Sequence, residues 1–394
     1  MFAFSIITVI SLVTAASSHP LLQPKAPCRP MGNGTINIGS YQLYPENVDF
    51  DEQSCLLCKF SETQSQENLG HIGALYNASV VVYDPYEGSV VSTIEFANIT
   101  RTPPFHIGGV AWDPYLQSRD GKSADEITIL VDAAAAHETA GRDISGDNYL
   151  IRYSPSTHSV LWSTNLTRTS GTRYGGPQDI EHDARGNIYV LGTYPGTIQR
   201  VSRTGGLASE WFVPSTKPLD HAVVGYTGFA AVRDSSVLLV TDARNRSAEG
   251  GALYTFDMDA SRGAPRVVPI AYAEADQVIR PADAIYLPRK YGGEVLLITE
   301  HDAVSVVRSR KGGGGKGEKS PSWRAAEFLG RIPNPTELAS SGGLVTAAVE
   351  IGGRVYIVEE WFTDPLVPGT SAGNRTSFPL VDITAQLDAL VNRH

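Results

Sequence analysis

With 394 residues, a net charge of −10 and 42% hydrophobic side chains, the chain has material for a large core, and its surface should repel nucleic acid and anionic lipid. No basic patch reverses that sign, and no stretch approaches the ~20 apolar residues of a membrane span.

Phe2 to Ala16 is almost wholly apolar and runs into Ser17-Ser-His-Pro20, the pattern of a signal peptide over residues 1–18, although no Lys or Arg precedes the apolar run. Residues 19–394 are then expected to be exported as one monomeric domain, secreted or held in the secretory-pathway lumen. Six Asn-X-Ser/Thr sequons, at Asn33, Asn77, Asn98, Asn165, Asn245 and Asn374, fit a glycoprotein. Cys55 and Cys58 sit three apart in an expected strand, with side chains on opposite faces and backbones about 10 Å apart, so Cys28 is the expected disulfide partner of one of them. A redox motif or zinc half-site would need a helix N-terminus or a second ligand pair, and neither is visible.

A proline-rich lead occupies residues 19–35, and Ile36 to Leu43 reads as a strand. Six units follow at intervals of roughly 50 to 70 residues. Each opens with an innermost-strand candidate: Pro45-ENVDFD, Ile107-GGVAWD, Pro177-QDIEHD, Thr227-GFAAVR, Pro281-ADAIYL and Leu344-VTAAVE. The second strands align without gaps: Ser54-CLLCKF, Glu126-ITILVD, Asn187-IYVLGT, Ser236-VLLVTD, Glu294-VLLITE and Arg354-VYIVEE. Hairpins continue the first two units along Ala78–Tyr83 with Ser89–Phe96, and Tyr149–Tyr153 with Ser159–Thr164. Ala133 to Asp147 is a long rim loop. Residues 311–320, rich in Gly and Lys, form a flexible loop without the spacing or strand-to-helix context of a phosphate cradle. Phe378 to Ile383 is the last strand, expected to close a ring with the N-terminal one, and Thr384 to Val391 reads as a short helix. Six such units imply an all-β, six-bladed β-propeller of four-stranded antiparallel blades; a two-sheet sandwich is the competing architecture.

Ring closure brings the starts of innermost strands and the ends of second strands to one mouth of the axial channel. The second-strand ends read Phe60, Asp132, Thr193, Asp242, Glu300 and Glu360, and the innermost starts read Asn47, Gly109, Asp179, Phe229, Asp283 and Thr346. Carboxylates crowded in a narrow mouth either bind a cation or, by repulsion and desolvation, leave a neutral acid. Asp179, Asp283, Asp242 and Glu300 are therefore the catalytic candidates, with Asp132, Glu360, His182 and His301 as ligand-binding ones. Each also has a structural reading, capping turns and accepting from backbone N–H groups. No serine-hydrolase, zincin or dinucleotide motif occurs.

The blades resemble the senescence marker protein/gluconolactonase superfamily. The Pro45-ENVDFD opening and Asn77-ASVVVYDPY are similar to the fungal propellers of trichothecene mycotoxin clusters, the cluster protein fourteen family. The broader resemblance implies a divalent cation and lactone or phosphoester hydrolysis. Its glutamate ligand falls on Glu46, but its later ligand positions fall on Gln178 and Ala282, so no cofactor and no tightly held metal are expected, a divalent cation staying the alternative. The narrower resemblance implies a small-molecule ligand in the channel: a sesquiterpenoid intermediate bound or cyclised with acid assistance, bearing on toxin output and virulence. A non-catalytic exported binding module is the third reading.

Overall fold

A computed structural model describes residues 29–50, 69–115, 126–243, 253–274, 278–310 and 321–393. Cys28, Cys55, Cys58, Asn245 and the 311–320 loop lie outside these residues.

Six antiparallel sheets follow one another in chain order. Blade I is Pro45–Phe50, Gly70–Ala74, Ser79–Asp84 and Ser89–Ile94; blade II is His106–Trp112, Ile127–Asp132, Tyr149–Ser154 and Ser159–Asn165. Blade III runs from Gly175–His182 through Ile188–Tyr194 and Thr197–Val201 to Ser209–Phe212, and blade IV from Tyr226–Ala231 through Val237–Asp242 and Leu253–Asp257 to Arg266–Val267. In blade V the pair Ile285–Tyr286 is innermost, followed by Val295–Thr299, Ala303–Ser309 and Ala326–Pro333; Ile270–Ala271 adds a short parallel strand at its outer edge. Blade VI joins Leu344–Ile351, Arg354–Glu360 and Ser377–Asp382 to Ile36–Gly39 from the other end of the chain. The expected closure is thus observed, with Ile38 opposite Phe378 and both fully buried. Thr384–Arg393 forms the terminal helix, placing Leu387 against blades V and VI.

The second strands carry the hydrophobic signal because both their faces are covered: Ile129, Leu130 and Val131 are wholly buried, as are Leu296, Leu297 and Ile298. Apolar layers between neighbouring blades form the core.

Blade I corrects one expectation. Its second strand is Gly70–Ala74, not the Ser54–Phe60 run, and it pairs with Pro45–Phe50. Gly70-His-Ile-Gly-Ala74 has little β propensity by itself; its place comes from being flanked by the two neighbouring strands.

The innermost strands share a second feature invisible to a gap-free alignment. Each of five carries a bulge near its start, between Pro45 and Asn47, Ile107 and Gly109, Pro177 and Asp179, Tyr226 and Gly228, and Val345 and Ala347. The extra residue turns toward the axis, so the inward residues at this rim include Glu46, Gly108, Gln178 and Thr227. In blade V, Thr299 faces both Asp283, whose N–H it accepts, and Ala284. Asp179 pairs with Leu191, whereas the residue opposite the equivalent Ile298 is Ile285. Asp283 therefore lies two residues nearer the rim than Asp179, and the two are not equivalent.

Candidate functional site

The bulged rim encloses a cavity of about 820 Å³. Its apolar wall includes Leu75, Tyr76, Tyr194, Val224, Phe362 and Leu366, and its polar side chains include Glu46, Asp132, Gln178, Thr193, Asp283 and His301. Gly108 permits this crowding, since a Cβ there would stand 3.1 Å from Asp132 Oδ2 and 3.3 Å from the Pro177 carbonyl.

Glu46 dominates the electrostatics. Its Oε2 is buried without a hydrogen-bond partner. Burial first, and then the carboxylates of Asp283, Glu360, Asp132 and Asp179, hold its pKa well above the usual carboxylate range. The protonated acid is the form this environment favours.

Opposite stands a chain of oriented bonds. Thr193 Oγ1 donates to Gln178 Oε1 at 2.8 Å, Gln178 Nε2 donates to Asp283 Oδ1 at 2.7 Å, and Asp283 Oδ2 lies 3.3 Å from His301 Nε2. His301 sits at φ 63° in the tight turn after blade V's second strand, its carbonyl held by the Val345 N–H. Its bond to Asp283 raises the imidazole pKa although burial opposes it. His106, packed edge-on to Tyr76 at 5.3 Å, has its pKa lowered by burial.

Of the sequence candidates, Asp132, Asp283 and His301 share the cavity, together with Glu46. The other five do not line it. Asp179 lines a second cavity of about 430 Å³ around the other end of the channel, with its Oδ2 accepting from the Phe229 N–H of blade IV. Glu300 turns into blade V, where Arg331, Ser305 and the Arg280 N–H surround its carboxylate. His182 is fully buried between Thr128 and Arg152, whose guanidinium also pairs with Asp113. Asp242, buried opposite Tyr226, does not line the cavity. Glu360 is fully buried with both oxygens unpartnered, and its proximity is felt at Glu46 and Tyr76, whose pKa values an ionised Glu360 would raise. A shared strand end places these residues at one rim, but local twist and turns decide which face the axis. Gln178 was missed as a functional residue because its role follows from the bulge.

Gln178 is also the test of a metal site. Its carbonyl oxygen is taken up by Thr193 and its amide nitrogen points at Asp283, so it presents a donor where a hard cation requires oxygen. Among the described residues no cluster of three or more His, Cys, Asp or Glu is arranged for a metal.

Six four-stranded blades, with a cavity of about 820 Å³ at one axial mouth, make this a six-bladed β-propeller. No family profile matches the chain. Trichothecene biosynthesis protein 14 of Trichoderma arundinaceum is 31% identical over 381 residues, covering 93% of this chain and 92% of its own length. Core trichothecene cluster protein 14 of Fusarium sporotrichioides is 26% identical over 378 residues, or 92% and 88% of the two chains. The chain belongs to the trichothecene biosynthesis protein 14 family. Among solved structures, the major Malassezia sympodialis allergen Mala s 1 superposes with a TM-score of 0.62 at 19% identity, covering 89% of this chain and 96% of that one, a likeness of fold.

Proposed function

We propose that this chain acts in trichothecene biosynthesis as an acid-assisted cyclase, with Glu46 as the acid. The observation that carries the reading is the unpartnered, buried Oε2 of Glu46 on the wall of an apolar cavity. A cavity of about 820 Å³ is of the size that holds drug-sized molecules. Trichothecenes are oxygenated sesquiterpenoids, matched by a mostly hydrocarbon wall with a few polar groups.

Glu46 protonates an allylic hydroxyl of the substrate, the C–O bond breaks, and water leaves. A second hydroxyl of the same molecule attacks the allylic cation, forming the new C–O bond of an oxygen ring. The resulting oxonium loses its proton to a base, so the balance is loss of one water. A neutral acid is essential, because an ionised Glu46 would be a poor donor and would stabilise the cation without starting the reaction.

The test is turnover of a sesquiterpenoid triol bearing an allylic hydroxyl. Glu46→Gln should bind the triol and keep the wild-type melting temperature within a few degrees, yet lose turnover by about a hundredfold or more. Unchanged turnover sinks the proposal. The reading includes export of the chain, supported by the apolar N-terminus, and N-terminal sequencing of secreted material checks it. Glycosylation belongs to the same reading: Asn33, Asn98 and Asn374 are exposed, whereas the Asn77 and Asn165 amides donate to Gln42 and Asp147.

A further inference from the structure

The cyclisation leaves a proton on the product, and besides Glu46, which is a carboxylate once it has given its own, the cavity wall offers Asp283 as a base. Resting on the proposed reaction, we infer that Asp283 is the base that takes it and His301 the carrier that passes it to solvent, with Gln178 holding Asp283 in position.

The geometry distinguishes the two carboxyls. Glu46 has an oxygen with no donor, whereas Asp283 accepts a 2.7 Å bond from Gln178 Nε2, which favours its charged form. In this orientation of the amide, Thr193 Oγ1 donates to the Gln178 oxygen at 2.8 Å, so both ends of the side chain are bonded. The other oxygen of Asp283 lies 3.3 Å from His301 Nε2. Asp283 has only a tenth of its side chain exposed, but His301 has 51%, so the pair leads from the cavity wall to water.

Protons balance along this path. The O–H bond of the oxonium breaks as an O–H bond forms on Asp283. That proton moves to His301 Nε2, and the imidazolium releases one to solvent, while Glu46 is reprotonated from water through the open mouth. The charged groups facing His301 are Asp283 and, on its own turn, Asp302, which Arg280 neutralises in part. Asp283 is therefore the partner that sets its titration.

The experiment uses the full chain and the same triol. His301→Ala should slow turnover about tenfold or more with little change in KM, and added imidazole should restore it. Asp283→Asn should lose more activity and respond to no added buffer. Histidine NMR should show the His301 titration falling in Asp283→Asn and, more weakly, in Gln178→Met. A wild-type protein that leaves the triol unchanged overturns the reaction, and this path with it. An active wild type whose His301→Ala variant is equally fast, or slow and deaf to imidazole, overturns the proton path alone.

Discussion

At the scale of single residues, burial decides what each charged group does. Arg152 and Asp113 are 1% and 0% exposed, and the guanidinium also reaches Glu126, Thr128 and His182. A buried charge network of this kind costs most when half of it is removed. Arg152→Leu, which removes the guanidinium that Asp113 and His182 share, is expected to destabilise the fold by roughly 3–5 kcal/mol. Denaturant unfolding measures this, and a cost under 1 kcal/mol would mean that the network is solvated. His182, a ligand-binding candidate in the sequence, belongs to this network and not to the cavity, and Asp183 stands beside it in the chain. A histidine next to an aspartate reads the same in either setting; only the fully enclosed side chain separates them.

At the scale of elements, innermost strands have an edge of N–H groups facing the channel, and carboxylates of neighbouring blades satisfy several of them. Asp49 accepts from Trp112, Asp179 from Phe229 and Glu181 from Ala231, at 2.7, 2.7 and 3.0 Å. These acidic residues join blade I to II and blade III to IV, which accounts for Asp179 without catalysis. The ring itself is closed by Ile36–Gly39 against Ser377–Asp382. Ile38 and Phe378 meet there without solvent, and Tyr44 packs edge-on to Phe378 at 5.2 Å. Ile38→Ala should cost about 2–5 kcal/mol. Removal of residues before Ser40 should lower the melting temperature further, because an uncovered strand edge is added to the lost packing. A truncated chain as stable as the full one would show that the ring closes by other means.

At the scale of the whole molecule, the buried carboxyls impose an unusual pH dependence. Burial pushes Asp179 up to about 7, Glu181 up to about 8 and Glu359 up to about 7, and holds Glu46 and Glu360 well above the carboxylate range. Burial also lowers the imidazoles of His71 to about 3 and His182 to about 4, and that of His106 in the same direction. Above about pH 4.5 the folded chain keeps carboxyl protons that the unfolded chain has lost, so stability falls as pH rises toward 8. The histidines act oppositely between about pH 3 and 6.5, where the unfolded chain binds protons that the folded one refuses, but they are fewer. Thermal melts should therefore show a higher melting temperature near pH 5 than near pH 8. Glu181→Gln should flatten the decline between pH 6.5 and 8. A melting temperature that climbs steadily from pH 5 to 8 would contradict these protonation states.

The sequence by itself determined the architecture, since six turn-bounded apolar runs leave few alternatives to a ring, and the strands at the two chain ends were legible as its closure. It also brought equivalent strand ends to one rim, and of the residues it named there Asp132, Asp283 and His301 line the cavity of about 820 Å³. What the sequence could not determine was which acidic residues look inward. A bulge inserts one residue into a strand and reverses its side-chain alternation, so Glu46 and Gln178 face the axis while Asp179 is carried deeper into the channel. Bulges depend on how the partner strand pairs, and that pairing is decided only when the blades pack. The protonation of Glu46 is likewise a tertiary property, because it arises from burial and from carboxylates on other blades.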